Sequence, residues 1–484
     1  MSTLTGHTWP QQLAKRDPDA VAVVTGDGRY TTTDLFRRAA GAADWLDTVG
    51  AEKGHPVALL GWASLDSFAL LIGGPLAGRP IACLGPQLTV NELVPCFDGL
   101  GATVIVADAE VLDTAHAVAA LTGCRVVTLP AFEPSSRELD FEPAAESIAM
   151  ILHTSGTTGK PKRVPLSQES VARQADVKSL ALEMDSTTVL ANAKGIHHIG
   201  GLTISLTALA SNGAVIPMRR FSPQAWHDVM HLGATHAATV PSMIEMLVSG
   251  GGSWFVPSLR ILQYGGAAIH PDTLRGLLRD FPSLGLVGLY GQTEGTPLCV
   301  FSPADHRRAF AGEAHLFETA GRPAPGAEIR IDQPDAHGLG EVIGRGPHIA
   351  MPGPDGWVRT GDMGRFDAEG FLRLSGRKGD MILRGGENVF PLEVERVLAS
   401  HPDVREASVV GIPDRRLGQR IVAWVVPVVV DAVPDEGVLR SYCRERLAGF
   451  KVPERFVFTD KLPRNPNGKV MRSVLVERAS ANSS

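Results

Sequence analysis

The chain has 484 residues, with 46 basic and 52 acidic side chains and a formal charge of −6. That length gives room for several domains with filled cores and excludes a small disulfide-stapled scaffold. The slight acidic excess, without a block of five like charges, lacks the basic footprint of a nucleic-acid binder and leaves small molecules or proteins as partners.

The N-terminal stretch carries no apolar core segment. The run from Phe68 to Ala77 is cut by Pro75 and followed by Arg79, too short to span a bilayer. A soluble, cytoplasmic protein with no membrane span is therefore expected. The cysteines Cys83, Cys96, Cys124, Cys299 and Cys443 are scattered without a CxxC pair, which points to reduced thiols rather than a disulfide framework or zinc site.

From about residue 20 to 300, β-rich runs such as "DAVAVVT", "HPVALLGW", "TVIVADA", "SIAMILHT", "AVIPM", "THAATV", "LRILQYGG" and "GLVGLYG" are mostly separated by helical-length segments. This order predicts an α/β fold with parallel-rich sheets and crossover helices. From about 320 to 375 the texture turns to short Gly- and Pro-punctuated segments, as in a small β-barrel-like piece. After "SGRKGD" come a helix near Pro391 to Ser400, strands "REASVVGI" and "RIVAWVVPVVV", a helix near Glu436 to Leu447 and a strand "RFVFT". The expected organisation is a large domain over 1–378 and a small, mobile α+β domain over 379–484.

The stretch "TSGTTGKPKRVPLS", 154 to 167, follows the buried-strand pattern "SIAMILH" and concentrates hydroxyls, glycines and lysines. Glycines let backbone amides approach phosphate oxygens and hydroxyls add donors. A Walker A loop needs GxxxxGK[ST] running straight into a helix. Here Gly156 and Gly159 are three apart, Pro161 follows Lys160, and "RVPLS" intervenes before a helix can start near Ser167.

The same stretch resembles the signature loop of the adenylate-forming superfamily, which includes acyl-CoA synthetases, carrier-protein adenylation domains and luciferases. The resemblance extends in order through "YGGAAI", "YGQTEG", "RTGDMGRFDAEGFL", "GRKGDMILRGGENVFPLEVE" and "PRNPNGKVMR", across nearly the whole chain. It implies two half-reactions: a carboxylate attacks the α-phosphorus of ATP to give an acyl-adenylate and pyrophosphate, and a thiol then displaces AMP. The first joins negative charge to negative charge, so cations and oriented donors are needed where charge builds up.

What the resemblance implies for individual residues follows the motifs. Thr154, Ser155, Gly156, Thr157, Thr158 and Lys162 hold the leaving pyrophosphate. Gly265, Gly266 and Ala267 pass the edge of the base. In "YGQTEG", Tyr290 packs on adenine, Gly291 and Gln292 complete the nucleotide wall, Thr293 contacts the α-phosphate, and Glu294 binds Mg²⁺. Asp362 takes the ribose hydroxyls with Arg377 assisting. Lys469 bridges the carboxylate and the α-phosphate during adenylation. Rotation about the position of Gly379, which normally carries Asp or Lys, brings the "RGGEN" loop with Gly385 and Gly386 to line a pantetheine channel. His198, rather than His197, matches the residue near the acyl pocket. ATP, Mg²⁺ and coenzyme A are implied, with a carrier-protein thiol as the alternative acceptor. Glycines at 200, 201, 265, 266, 291 and 295 are compatible with a roomy acyl pocket or with tight turns. No charge within 198–207 or 288–296 declares itself as partner to a second carboxylate, so a bulky, largely apolar monocarboxylic acid is expected.

Overall fold

The structure is a computed structural model that describes residues 8–155, 161–250, 254–429, 433–464 and 470–481. Its contacts divide the chain into two compact units, Met1–Ile329 with Gly344–Val358, and Arg330–Ile343 with Arg359–Ser484.

The first unit is the expected α/β body, and the predicted runs all form strands. One sheet has the order Arg125–Thr128, Val104–Ala107, Val57–Leu60, Ile81–Leu84, Ile148–Ser155, Pro161–Ser167. All pairs but the last are parallel. The inner strands Val104–Ala107, Val57–Leu60 and Ile81–Leu84 are buried on both faces, which is why they read as continuous apolar runs rather than alternating ones. Val57 and Leu59 join one core with Phe68 and Leu71, whereas Ala58 and Leu60 join another with Ile105 and Leu93.

A second sheet places Ile261–Gly265 between His236–Ala238 and Gly285–Gln292, all parallel, and continues through the antiparallel strand Gly295–Phe301 to the edge strand Arg322–Pro323. The crossover helices have clear starts. Helix Thr32–Thr48 opens on a Thr31/Asp34 capping box and helix Leu65–Leu76 on a Ser64/Ser67 pair. These two helices pack closely because Gly73 carries no side chain: an added Cβ would lie 2.0 Å from the Ala39 carbonyl oxygen. Full burial of Phe68 and Leu71 contributes about 1.5–3 kcal/mol each.

In the second unit, strands Val404–Asp414 and Gly418–Pro427 pair antiparallel over most of their length. Side-chain alternation explains the β-branched run there. Ile421, Ala423 and Val425 face helices Pro391–Ala399 and Glu436–Arg444 through Val394, Leu398 and Leu439. Val422, Trp424 and Val426 face the other way, onto Leu475 and Ala479 of helix Arg472–Ala481. The strands Glu328–Asp332, Gly340–Arg345, Val358–Phe366 and Leu372–Arg377 form a separate sheet in that order, most of it grouped with this unit. Among the described residues, no helix is long and apolar enough to cross a membrane. All five cysteines are free, and burial pushes the Cys83 thiol up to about 12.

Candidate active site

The motif residues of the first unit cluster at the carboxyl ends of its parallel strands, where open α/β sheets place their ligand crevices. Strand Ile148–Ser155 turns back antiparallel into Pro161–Ser167, with Thr154 opposite Lys162 and Ser155 opposite Pro161. Thr154 and Lys162 thus face each other across the base of the loop, while Gly156, Thr157 and Thr158 lie outside the described residues. The helix that follows, Gln168–Ala181, begins only after Ser167, whose side chain caps the Ser170 amide. A full strand therefore separates loop from helix, unlike a Walker A site.

"YGQTEG" is the tip of a hairpin. Gln292 pairs with Gly295, and Thr293 and Glu294 are the two turn residues between strands Gly285–Gln292 and Gly295–Phe301. Lys162 Nζ donates to Glu294 Oε1 at 2.7 Å, and the Glu294 carbonyl accepts from the Ala350 amide at 2.8 Å. The Glu294 side chain is only 11% exposed against 50% for Lys162, so the carboxylate is fixed and the ammonium reaches in from the open side. Tyr290 is half-buried against Leu298, Ile349 and Val358, with Cys299 opposite it in the hairpin. Gly266, at φ +87°, turns the chain at the end of strand Ile261–Gly265 and leaves Ala267 exposed. The near-buried Glu294 carboxylate is of the kind that could hold Mg²⁺, which takes one or two protein carboxylates and completes its shell with phosphate oxygens and water.

The doubled histidines separate in role. His197 is buried, its Nε2 2.8 Å from Gln87 Nε2, and burial followed by neighbouring His198 holds it well below the usual imidazole range. It is a neutral packing residue. His198 is partly exposed at the N-cap of helix Ile199–Ala210 and does not cap it with its side chain.

Most of the motif glycines serve close packing rather than a roomy pocket. A Cβ at Gly201 would lie 2.0 Å from the Gly195 carbonyl oxygen, at Gly265 2.5 Å from that of Leu289, and at Gly291 2.8 Å from that of Gly295. At Gly200 the neighbour is the Lys194 ammonium, at 3.3 Å. Lys194 escaped the sequence reading, because one lysine between apolar segments looks like any loop charge. It is 9% exposed, donates to Gln263 Oε1 at 2.5 Å, and burial lowers it to about 7. A second amine, Lys178, is also buried, donates to Gln174 and Thr203, and is pushed well below the lysine range by burial and by Lys194.

In the second unit, Asp362 and Arg377 are cross-strand partners, with Arg377 Nε donating to Asp362 Oδ1 at 2.8 Å. Gly361, at φ +70°, precedes the acid within strand Val358–Phe366, and the Asp362 amide donates to Thr360 Oγ1 at 3.0 Å. Gly385 and Gly386, at φ +61° and +90°, form the two-residue turn between Ile382–Arg384 and Glu387–Val389, closed by Arg384 opposite Glu387. Gly379 sits in an exposed turn, and a Cβ there would meet nothing within 4 Å. Lys469 lies outside the described residues. On either side the chain is tied by an Arg464–Val470 bridge and by Arg472, which donates to Asp380 at 2.9 Å and to both oxygens of Glu395.

Similarity to known proteins agrees with this arrangement. A family model described as AMP-binding enzyme matches residues 10–352, and one described as AMP-binding enzyme C-terminal domain matches 393–469. The chain is 33% identical to a 2-succinylbenzoate–CoA ligase of Geobacillus kaustophilus, with 96% of each chain covered. It is 30% identical to a feruloyl-CoA synthase of Amycolatopsis sp, covering 97% of this chain and 98% of that one. The o-succinylbenzoate CoA synthetase of Bacillus subtilis, solved with its acyl-adenylate intermediate, superposes with a TM-score of 0.84 at 26% identity over 97% of both chains. The chain belongs to the AMP-binding, adenylate-forming enzyme family and is an AMP-forming acid–thiol ligase of the acyl-CoA synthetase type.

Proposed function

We propose that this enzyme activates a ring-bearing carboxylic acid with ATP and Mg²⁺ and transfers the acyl group to coenzyme A. The observation that carries the site assignment is the 2.7 Å contact between Lys162 and Glu294, because it joins the phosphate-loop hairpin to the "YGQTEG" hairpin. In this reading Thr154, Ser155, Gly156, Thr157, Thr158 and Lys162 grip the β and γ phosphates. Thr293 donates to the α-phosphate, and Gly265, Gly266, Ala267, Tyr290, Gly291 and Gln292 wall the adenine. Glu294 would hold Mg²⁺, which when bound would supply positive charge to the phosphate oxygens. Asp362, oriented by Arg377, accepts from the ribose hydroxyls.

Lys469 supplies the cation that offsets repulsion between the attacking carboxylate and the α-phosphate. The same domain then turns about Gly379, withdrawing Lys469 and presenting the loop with Gly385 and Gly386 to the pantetheine arm, while His198 borders the acyl and thiol path. A cytoplasmic setting, where ATP and coenzyme A are available, follows. The ring-bearing substrate class is supported by relatives that act on 2-succinylbenzoate and ferulate.

Acid-dependent ATP–pyrophosphate exchange over an acid panel tests the first half-reaction. Thioester formation with free coenzyme A against a phosphopantetheinylated carrier protein tests the second. Transfer to the carrier and none to coenzyme A would overturn the choice of thiol.

A further inference from the structure

Lys194 is a buried amine that the adenylation chemistry does not use. It follows strand Val189–Asn192 and precedes the histidine pair, and its ammonium meets Gln263 on strand Ile261–Gly265. That strand leads into the glycines assigned to the adenine wall. Among the described residues no carboxylate lies within ion-pair distance of Lys194 or of its buried neighbour Lys178. Two buried amines without an acid partner are costly, since desolvation is not repaid by a counter-charge. Gly200 leaves the room that the Lys194 ammonium occupies, at the first turn of helix Ile199–Ala210. The amides of that turn and the helix dipole add positive potential at the same point.

We propose that Lys194, held by the Gln263 side-chain oxygen, forms with the first turn of helix Ile199–Ala210 a specificity subsite for a second anionic group, carboxylate or sulfonate, on the acid substrate. The carboxylate to be activated goes to Thr293 and Lys469, and the second anion goes to Lys194. Burial keeps the amine poised between charged and neutral near pH 7, so an arriving anion completes its protonation and gains a buried, charge-assisted hydrogen bond. A purely apolar acid leaves that amine with only the neutral Gln263 oxygen and no counter-charge. This deepens the acyl-CoA synthetase reading and rests on it, and it replaces the largely apolar monocarboxylic acid expected from the sequence.

The test compares matched acids with and without a second carboxylate by pyrophosphate release: 2-succinylbenzoate against 3-benzoylpropionate, 4-carboxycinnamate against cinnamate, and glutarate against butyrate. In the pair turned over fastest, the dianion is expected to have about 10- to 100-fold higher kcat/KM. Lys194→Met is expected to reduce that ratio to within about threefold of unity, and Lys194→Arg to retain a preference above it. A ratio of one or less in the wild-type enzyme, or a ratio unchanged in Lys194→Met, overturns the proposal. The wild-type ratio decides alone if Lys194→Met does not fold. Pyrophosphate release with none of the three dianions also overturns it, whereas the synthetase reading fails only if the wider acid panel gives no acid-dependent pyrophosphate exchange.

Discussion

Lys162 and Glu294, 132 positions apart, meet at 2.7 Å where two hairpins converge. The acid is fixed by its burial and by the turn, while the lysine is half-exposed and free to follow a phosphate. Each residue therefore has a role that the other's replacement should not copy. Lys162→Met is expected to raise the KM for ATP about 10- to 100-fold, as lost charge-assisted hydrogen bonds to phosphate cost about 1.5–3 kcal/mol. Glu294→Gln is expected to shift the Mg²⁺ concentration needed for half-maximal rate upward more than it shifts the ATP requirement at saturating metal. Titrations of both variants check this, and identical profiles would show that the two residues do not divide the task.

The Asp362–Arg377 pair predicts a sugar-specific defect. Asp362→Asn keeps the shape but weakens acceptance from the ribose hydroxyls, so the preference for ATP over 2′-deoxy-ATP should narrow by about tenfold. Comparing kcat/KM for the two nucleotides in wild type and variant measures it. An unchanged preference would move the ribose contact elsewhere.

Lys194 makes a pH prediction with a definite sign. Its folded value of about 7 lies below the unfolded 10.5, so between these values the unfolded chain binds the extra proton and stability rises with pH. The penalty is fully present below about pH 7. Lys178, its buried neighbour, is also lowered and acts in the same direction. Denaturant unfolding at pH 7 and 9 should show the wild type gaining up to about 1.4 kcal/mol per pH unit relative to Lys194→Met. Parallel curves would mean that the amine is charged and solvated in the folded chain.

Two glycine positions separate local strain from domain motion. Gly385→Ala places a side chain at φ +61° and should cost about 1–2 kcal/mol of stability. Gly379→Ala meets no neighbour and should leave the melting temperature unchanged. Gly379→Pro is expected to slow the full reaction about tenfold or more while each half-reaction, assayed alone, suffers less. Unchanged full turnover in Gly379→Pro would place the pivot at another residue.

The fold class was legible because doubly buried parallel strands leave uninterrupted apolar runs, as in "VALL" at 57–60 and "VIVA" at 104–107. Strand Pro161–Ser167 was not legible, since Pro161 and Pro165 argue against a strand. The structure tolerates them because this strand is the edge of its sheet, where a missing amide donor costs little. The site motifs were legible from their residue types. The meeting of Lys162 with Glu294 was not, because it depends on how two sheets pack. Lys194 was invisible for a related reason: only burial distinguishes a poised amine from a solvated one.

The account depends on Lys469 acting in the first half-reaction alone, and a half-reaction comparison of Lys469→Ala tests this most directly. The predicted result is loss of acid-dependent ATP–pyrophosphate exchange by about 100-fold or more, with thioester formation from supplied acyl-adenylate and coenzyme A near the wild-type rate. Equal loss in both halves, or undiminished exchange, would contradict it.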